Sequence, residues 1–384
     1  MVTSKTTTLL LALAAFAPSA NAHTTFTTLF VNGVDQGDGT CVRMPLDPPT
    51  ATFPVQDLAS SDMICGRDGL AAVQFTCAVP AANADKNTGA LLTFEFRETP
   101  DISQANRGID SSHKGPCSVY MKQLPLASGS GAQMDRSPSD GWFKIFEEGY
   151  DASTGQWCTD KLSASNGLLT VSLPAGLPAG SAYLVRPEIL ALHRAQVGDP
   201  QFYVGCAQIY LEPPTEDTAT ASQSQNQRSL LAIPSEYKVS IPGYVKAGDP
   251  SVSFNIYEPV YPYPIPGPPV FTPDLSNTKK ESAATVSSTD NLLAAGIELV
   301  PSTCLVKNAN WCGVEVPSYS TEAGCWDASE NCWQQEKACY DSAPPSGHAN
   351  CAVWDQQKCT VIQAACAAGS FNGPPNQGQV LQGV

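Results

Sequence analysis

Fourteen cysteines constrain the fold of this chain more than any other feature. They fall into two even groups, six between Cys41 and Cys206 and eight between Cys304 and Cys366, so each region can close its own bridges. Disulfides at this density point to an exported protein, where thiols oxidise. The start of the chain agrees. Lys5, an apolar run over residues 9–16 and the small residues Ala20-Asn21-Ala22 make residues 1–22 read as a secretory signal. The apolar run is too short to span a bilayer. No later stretch is long and apolar enough to do so, and residues 377–384 lack the hydrophobic tail of a lipid anchor. A secreted, extracellular protein is expected, with His23 as its first mature residue.

From residue 23 to about 211 the pattern is one of short strands divided by turns. Leu92, Phe94 and Phe96 alternate with Thr93, Glu95 and Arg97, the period of a half-buried strand. Similar runs lie at 26–31, 71–76, 118–122, 142–146, 168–173, 183–185 and 202–211, between Asn-Gly, Asp-Gly and Pro-Ala-Gly turn signals. Many short strands with long connections predict a mostly β fold, an antiparallel β-sandwich with long loops. Residues 212–250 read as a polar surface excursion, 251–257 as a last strand, and the proline- and tyrosine-rich 258–273 as extended chain pressed on a surface. The expected division is a signal at 1–22, a main domain at 23–273, a linker at 274–300 and a cysteine-rich module at 301–384.

The C-terminal module has its own period. Cys325, Cys332 and Cys339 stand seven apart, as do Trp326, Trp333 and Tyr340, while Cys351, Cys359 and Cys366 repeat at eight and seven. Such spacings gather residues on one helix face. They predict two helices stapled through their cysteine faces, with Cys304 and Cys312 tying in the approach, since so small a unit needs staples. Trp326 and Trp333 either fill its small core or form a platform for sugar rings.

Charge narrows the partners. The net charge of −15 leaves nothing to neutralise phosphates, so neither nucleic acid nor an anionic membrane is expected. A neutral polymer such as a polysaccharide remains open.

The chain has four histidines, His23, His113, His193 and His348. A terminal His23 offers two nitrogens that can chelate one metal, its amine and its imidazole Nδ1. His113 sits in Ser112-His113-Lys114-Gly115-Pro116, just before a strand, and His193 ends Glu188-Ile189-Leu190-Ala191-Leu192-His193. Gln201 and Tyr203 head the 202–211 strand and point to one face of it. Imidazole and amine nitrogens suit copper. Two nitrogens from His23 and one from His113 would make a T-shaped set with open positions, with the Tyr203 phenol axial at longer range. The amine, whose ordinary pKa is roughly 8, loses its proton more readily than a lysine.

Several segments taken together resemble a known family. They are Ser112-His113-Lys114-Gly115-Pro116 with Val119-Tyr120-Met121, Trp142-Phe143-Lys144-Ile145, Arg186-Pro187-Glu188, Ala191-Leu192-His193, and Gln201-Phe202-Tyr203 with Cys206-Ala207-Gln208-Ile209. His23-Thr24, Val31-Asn32-Gly33-Val34-Asp35 and Phe254-Asn255-Ile256-Tyr257 fit as well. In this order they are similar to the fungal lytic polysaccharide monooxygenases of auxiliary activity family nine, over about residues 23–273. The resemblance implies an immunoglobulin/fibronectin-like sandwich with one copper on a flat exposed face, held by the His23 amine, the His23 imidazole, His113 and an axial Tyr203. It implies that His193 and Gln201 hydrogen-bond an oxygen species and help deliver protons, and that Cys65 pairs with Cys206. Cys41, Cys77, Cys117 and Cys158 are left with three possible connectivities. The implied activity is oxidative cleavage of β-1,4-glucan such as cellulose, at carbon 1 and/or carbon 4, by a monomer using an external electron donor with O2 or H2O2. Tyr261 and Tyr263, with Tyr257, are candidates to lie flat on sugar faces or to pack onto the sandwich. The alternative is a copper- or polysaccharide-binding protein without turnover; the presence of both His193 and Gln201 favours catalysis.

Overall fold

Alternating apolar residues make strands only if something covers their faces, and this chain covers one of its sheets twice. A computed structural model describes residues 23–71, 75–81, 89–101, 103, 108–124, 138–212, 233–272 and 297–383. The signal, most of the expected linker, residues 72–74 of the expected 71–76 strand and residues 213–232 of the excursion lie outside the described residues.

The strands are β1 (Thr25–Val31), β2 (Val34–Asp35), β3 (Cys77–Pro80), β4 (Leu91–Arg97), β5 (Cys117–Gln123) and β6 (Trp142–Glu148). There follow a small hairpin, β7 (Tyr150–Asp151) with β8 (Gln156–Trp157), then β9 (Leu168–Ser172), β10 (Ala182–Ala191), β11 (Gln201–Val204), β12 (Ala207–Glu212) and β13 (Lys238–Val239). One sheet runs β2-β1-β4-β9; the other runs β13-β6-β5-β10-β12-β3, with β11 on the end of β10. The expected single strand at 202–211 is therefore two. Residues 182–185 of β10 pair with β12, and residues 188–191 pair with β11. The chain breaks at Gly205-Cys206, where Cys206 is bonded to Cys65 in the short helix α1 (Asp62–Cys65).

Leu92, Phe94 and Phe96 of the smaller sheet face Val119, Met121, Tyr183, Val185 and Ile189 of the larger one, forming the central core. On the far side of the larger sheet, Tyr120, Leu184, Leu190 and Phe202 pack beneath Ile241, Val245, Val252 and Tyr263. Residues 233–272 thus lie over the sheet as a cover. The strand expected at 251–257 is a series of turns, because Asp249 O accepts Val252 N at 3.0 Å and Asn255 Oδ1 accepts Tyr257 N at 3.0 Å. Within this second core Arg186 is fully buried, ion-paired to Glu188 at 2.5 Å and donating to Met63 O and Ile64 O at 2.7 and 2.8 Å. A buried charge needs such partners, and these secure the segment that carries Cys65. Cys41 pairs with Cys77 and Cys117 with Cys158, the latter at the start of α2 (Cys158–Ala164).

The C-terminal module is helical and stapled. A hairpin of β14 (Val306–Asn308) and β15 (Trp311–Gly313) is spanned by Cys304–Cys312. Helix α3 (Glu322–Asp341) starts at Thr321, whose side chain accepts Gly324 N. It lies against α4 (Ala349–Trp354) and α5 (Thr360–Ala367), bridged by Cys325–Cys366, Cys332–Cys359 and Cys339–Cys351. The odd spacing of eight between Cys351 and Cys359 coincides with a π turn at Asp355–Cys359. One extra residue in that turn restores the register that an α-helix would have lost.

The module docks on the sandwich. Residues 297–300, the end of the expected linker, continue the larger sheet: Thr76 N donates to Glu298 O at 2.7 Å, and Ile297 packs with Ala182 and Tyr210. Asn310 joins the two units. Its Oδ1 accepts Cys41 N at 3.0 Å and Phe75 N at 2.9 Å, and its Nδ2 donates to Gly39 O and Val42 O at 3.1 and 3.3 Å. Replacing it leaves two backbone donors without partners, and stranded donors cost more than the bonds gain. Asn310→Ala should therefore lower the stability of the full chain by about 2–4 kcal/mol, read as a drop in denaturant midpoint; an unchanged midpoint would show that the docking is incidental.

Candidate metal centre

The ends of β10 and β11, the start of β1 and the loop before β5 meet at one place. The chain is fixed at its first described residues by Thr24, whose hydroxyl donates to Gly108 O at 2.6 Å. The loop carrying His113 is a tight turn in which Asp110 O accepts His113 N at 3.0 Å and Asp110 Oδ1 accepts Ser112 N at 2.8 Å. Two residues on, Gly115 lies so close to β10 that a Cβ there would sit 1.8 Å from Leu190 O. Only glycine permits that approach. Lys114 O then accepts Leu192 N at 2.8 Å, which ties the loop to the segment entering His193. The Cys117–Cys158 bridge holds the loop's other end.

In this frame the His113 imidazole is 4% exposed. Its Nδ1 lies 3.2 Å from Ser112 Oγ and its Nε2 3.1 Å from the Tyr203 hydroxyl. That hydroxyl donates to Gln201 Oε1 at 2.9 Å. Gln201 and Tyr203 therefore share a face, as strand geometry predicts. The His193 ring lies with its centroid 4.4 Å from that of His113. His23 is within electrostatic reach of His113, and its ring packs on Phe53 at 4.9 Å. The structure thus brings together His23, His113, His193, Gln201 and Tyr203.

Burial sets their protonation. It pushes the His113 imidazole down to about 4, with the neighbouring His193 charge adding to the effect and Asp110 opposing it. Burial also lowers His193 and His23 and raises the Tyr203 phenol. Three neutral imidazoles beside a protonated phenol are nitrogen donors ready for a metal. Among the described residues no three His, Cys, Asp or Glu side chains cluster to hold an ion. A terminal amine on His23, were the chain cut before it, would add a nitrogen donor beside that residue's own Nδ1. His23 Nδ1, the atom needed for that chelate, is buried and has no hydrogen-bond partner. His193 Nδ1 is likewise buried and unpartnered. The donor set fits a nitrogen-preferring ion such as copper.

Other side chains sharpen the site. Tyr257, a candidate for the sugar faces, lies at the site and is joined there by Ser112 and Phe53, for which the sequence suggests no role. Ser112 could have been found beside His113, but Phe53 carries no sequence signal; it arrives because Val55 pairs with Phe202 of β11. Tyr257 is 66% exposed and donates its hydroxyl to His193 O at 3.2 Å. Tyr261 is partly exposed and stacks on Tyr150 at 4.2 Å. Of the two roles open to Tyr263, a place on the sugar face is corrected to packing on the sandwich: it is 8% exposed, lies edge-on against Trp157 and Phe254, and gives its hydroxyl to Ser251 O at 2.8 Å. Asp199 pairs with Arg194 at 2.6 Å and accepts Gln56 at 2.5 Å, bracing the turn that leads to Gln201. His348 lies elsewhere, against Tyr340 in the C-terminal module.

Residues 23–263 match the model of Auxiliary Activity family 9 (formerly GH61). The chain belongs to this family. It is 49% identical over 362 residues to AA9 family lytic polysaccharide monooxygenase H of Botryotinia fuckeliana, covering 93% of this chain and 75% of that one. It is 45% identical to AA9 family lytic polysaccharide monooxygenase C of Aspergillus tamarii, covering 95% and 90%. Alignments this long reach past the family match into the cysteine-rich module. The solved structure CvAA9A is 31% identical and covers 65% of this chain and 98% of its own, with a TM-score of 0.49. AA9 membership supports a polysaccharide monooxygenase, an oxidoreductase. No described helix is long and apolar enough to cross a membrane.

The lowered His113 pKa has a measurable consequence. The folded state keeps this ring neutral down to about pH 4, whereas the unfolded chain protonates it below about 6.5. Unfolding therefore takes up a proton between these limits, and stability falls as pH drops through that window. For chelator-treated protein the loss from this group is on the order of 3 kcal/mol, and His113→Gln should flatten the melting-temperature profile there. An equally steep profile in the variant would remove His113 as its source.

Proposed function

We propose that this AA9 protein is a secreted, extracellular, monomeric copper-dependent lytic polysaccharide monooxygenase that cleaves β-1,4-glucan, such as cellulose. In this reading, removal of residues 1–22 frees the His23 amine. That amine, His23 Nδ1 and His113 would hold one copper ion, with the Tyr203 phenol beside them. The observation that carries the reading is the buried, unpartnered His23 Nδ1 beside an imidazole that burial keeps neutral. Residues 23–273 form the catalytic domain and 301–384 the appended module.

When bound, copper would let an external electron donor and O2 or H2O2 hydroxylate the substrate at carbon 1 and/or carbon 4, after which the glycosidic link breaks. The chain's own residues do the rest. His113 is held by Ser112 and the Asp110 turn, so little rearrangement is needed to receive the ion. Gln201 accepts the Tyr203 hydroxyl through Oε1, which orients the amide and leaves Nε2 to donate to the oxygen co-substrate. His193 hydrogen-bonds the same co-substrate and passes protons through its ring nitrogens. Its backbone carbonyl is held by the Tyr257 hydroxyl. Tyr257 and Tyr261 offer rings to the sugar faces of a polymer that no narrow cleft could admit.

His113→Ala removes one of three nitrogens and should weaken copper binding by orders of magnitude in calorimetric titration, abolishing ascorbate-driven release of oxidised sugars from cellulose. His193→Ala should bind copper normally and turn over about 10- to 100-fold more slowly, the usual effect of removing a group that supports a metal site. Normal turnover in that variant would take the proton role away from His193. Plain reducing sugars with no oxidised ends would point to hydrolysis.

A further inference from the structure

Trp326, Trp333 and Tyr340 recur every seven residues along α3. Seven residues are nearly two helical turns, a rise of about 10.5 Å with a drift of roughly 20°, so the rings form a row along one flank of the helix. The buried stripe of the helix is a different one, made by Cys325, Ala328, Ser329, Cys332 and Cys339. The module's core is centred on Trp354, Ile362 and the bridged cysteines, and of the row only Trp333 packs against it, from one side. Trp354 is fully buried and donates its indole N–H to Cys332 O at 3.1 Å, and Trp311 packs edge-on against it at 5.7 Å. Trp326 remains 42% exposed and Tyr340 38% exposed, with Trp333 between them half-buried. Single exposed aromatics are ordinary, but a periodic row of them at the rim of a stapled helix is not.

Beside the row run exposed polar side chains. Gln334 donates to Glu330 at 3.2 Å, and Lys337 pairs with Asp341 one turn on. Rings bordered by amides and by charges of both signs suit a neutral, hydroxylated polymer better than a charged one. In a β-1,4-glucan the hydroxyls are equatorial, so each sugar face carries only C–H groups and can lie on an aromatic ring. Successive units are turned over, and the same presentation returns at every second glucose, a length close to two turns of α-helix. An α-1,4-glucan coils and does not keep this period.

We propose that Trp326, Trp333 and Tyr340 form a glucan-binding ridge whose rings stack on alternate glucose units of an extended β-1,4-linked chain. The proposal rests on the polysaccharide reading of the catalytic domain and extends it to the module. Because Asn310 bolts the module to the sandwich, the ridge is carried in fixed relation to the metal centre.

The test uses full-length, chelator-treated protein, so that turnover does not intervene, and the W326A/Y340A variant, whose altered side chains are both exposed. Tryptophan emission of the wild type should shift on adding cellohexaose and not on adding maltohexaose. Partition onto amorphous cellulose should fall about tenfold in W326A/Y340A, while W326F/Y340F, which keeps the rings, retains binding and covers the case of an alanine variant that folds poorly. Equal binding by W326A/Y340A and the wild type, or an equal response to maltohexaose, overturns the ridge. If the copper-loaded wild type still oxidises cellulose in that event, the function stands without the ridge; if it neither binds nor oxidises glucan, both readings fall.

Discussion

Strand β10, ten residues long and buried along its whole length, is the constraint on which the sandwich depends. One of its faces closes the core between the sheets, and the other lies under the cover formed by residues 233–272. A strand with no solvent face cannot slip by one residue without moving its apolar set to the wrong side, so its register is fixed. That register decides which residues emerge at its end: Ala191 opposes Gln201, and the chain then passes through Leu192 to His193. The His113 loop is hydrogen-bonded to the same end, through Lys114 O and Pro116 O. The precision of the site is thus inherited from a packed core two residues away.

Polar contacts turn that placement into chemistry. The line from Ser112 through His113 and Tyr203 to Gln201 is continuous, and beyond the exposed Ser112 it is shielded from water. In such surroundings an imidazole stays neutral and a phenol keeps its proton. A neutral imidazole is the state in which a histidine can serve as a nitrogen donor. Asp199 and Arg194 brace the approach to Gln201 from the solvent side, where a flexible turn would otherwise loosen the strand's first residue.

Much of this was legible in the sequence because it rests on period. Alternation at 92–96 gave the strand β4, and the sevenfold cysteine spacing gave the paired helices with their face-to-face bridges. Gln201 and Tyr203 were legible as a pair for the same reason. What was not legible depends on contacts between distant segments. The break at Gly205-Cys206 follows from the bridge to Cys65, and the cover over the second face replaces the strand expected at 251–257. Tyr263 looked like its neighbour Tyr261, yet its ring lies inside and its neighbour's outside, a difference made by Trp157 and Phe254. Asn310 carries no signal at all in one sequence, because its four partners lie more than 200 residues away.

The proposed chemistry turns on copper coordination by a newly exposed terminus. Electron paramagnetic resonance of the copper-loaded secreted protein, compared with a form extended by one residue before His23, tests it directly. The expected result is a secreted chain that begins at His23 and shows a cupric signal with three nitrogen ligands, and an extended form that lacks this signal. The same spectrum from both forms, or a secreted chain that begins elsewhere, would contradict it.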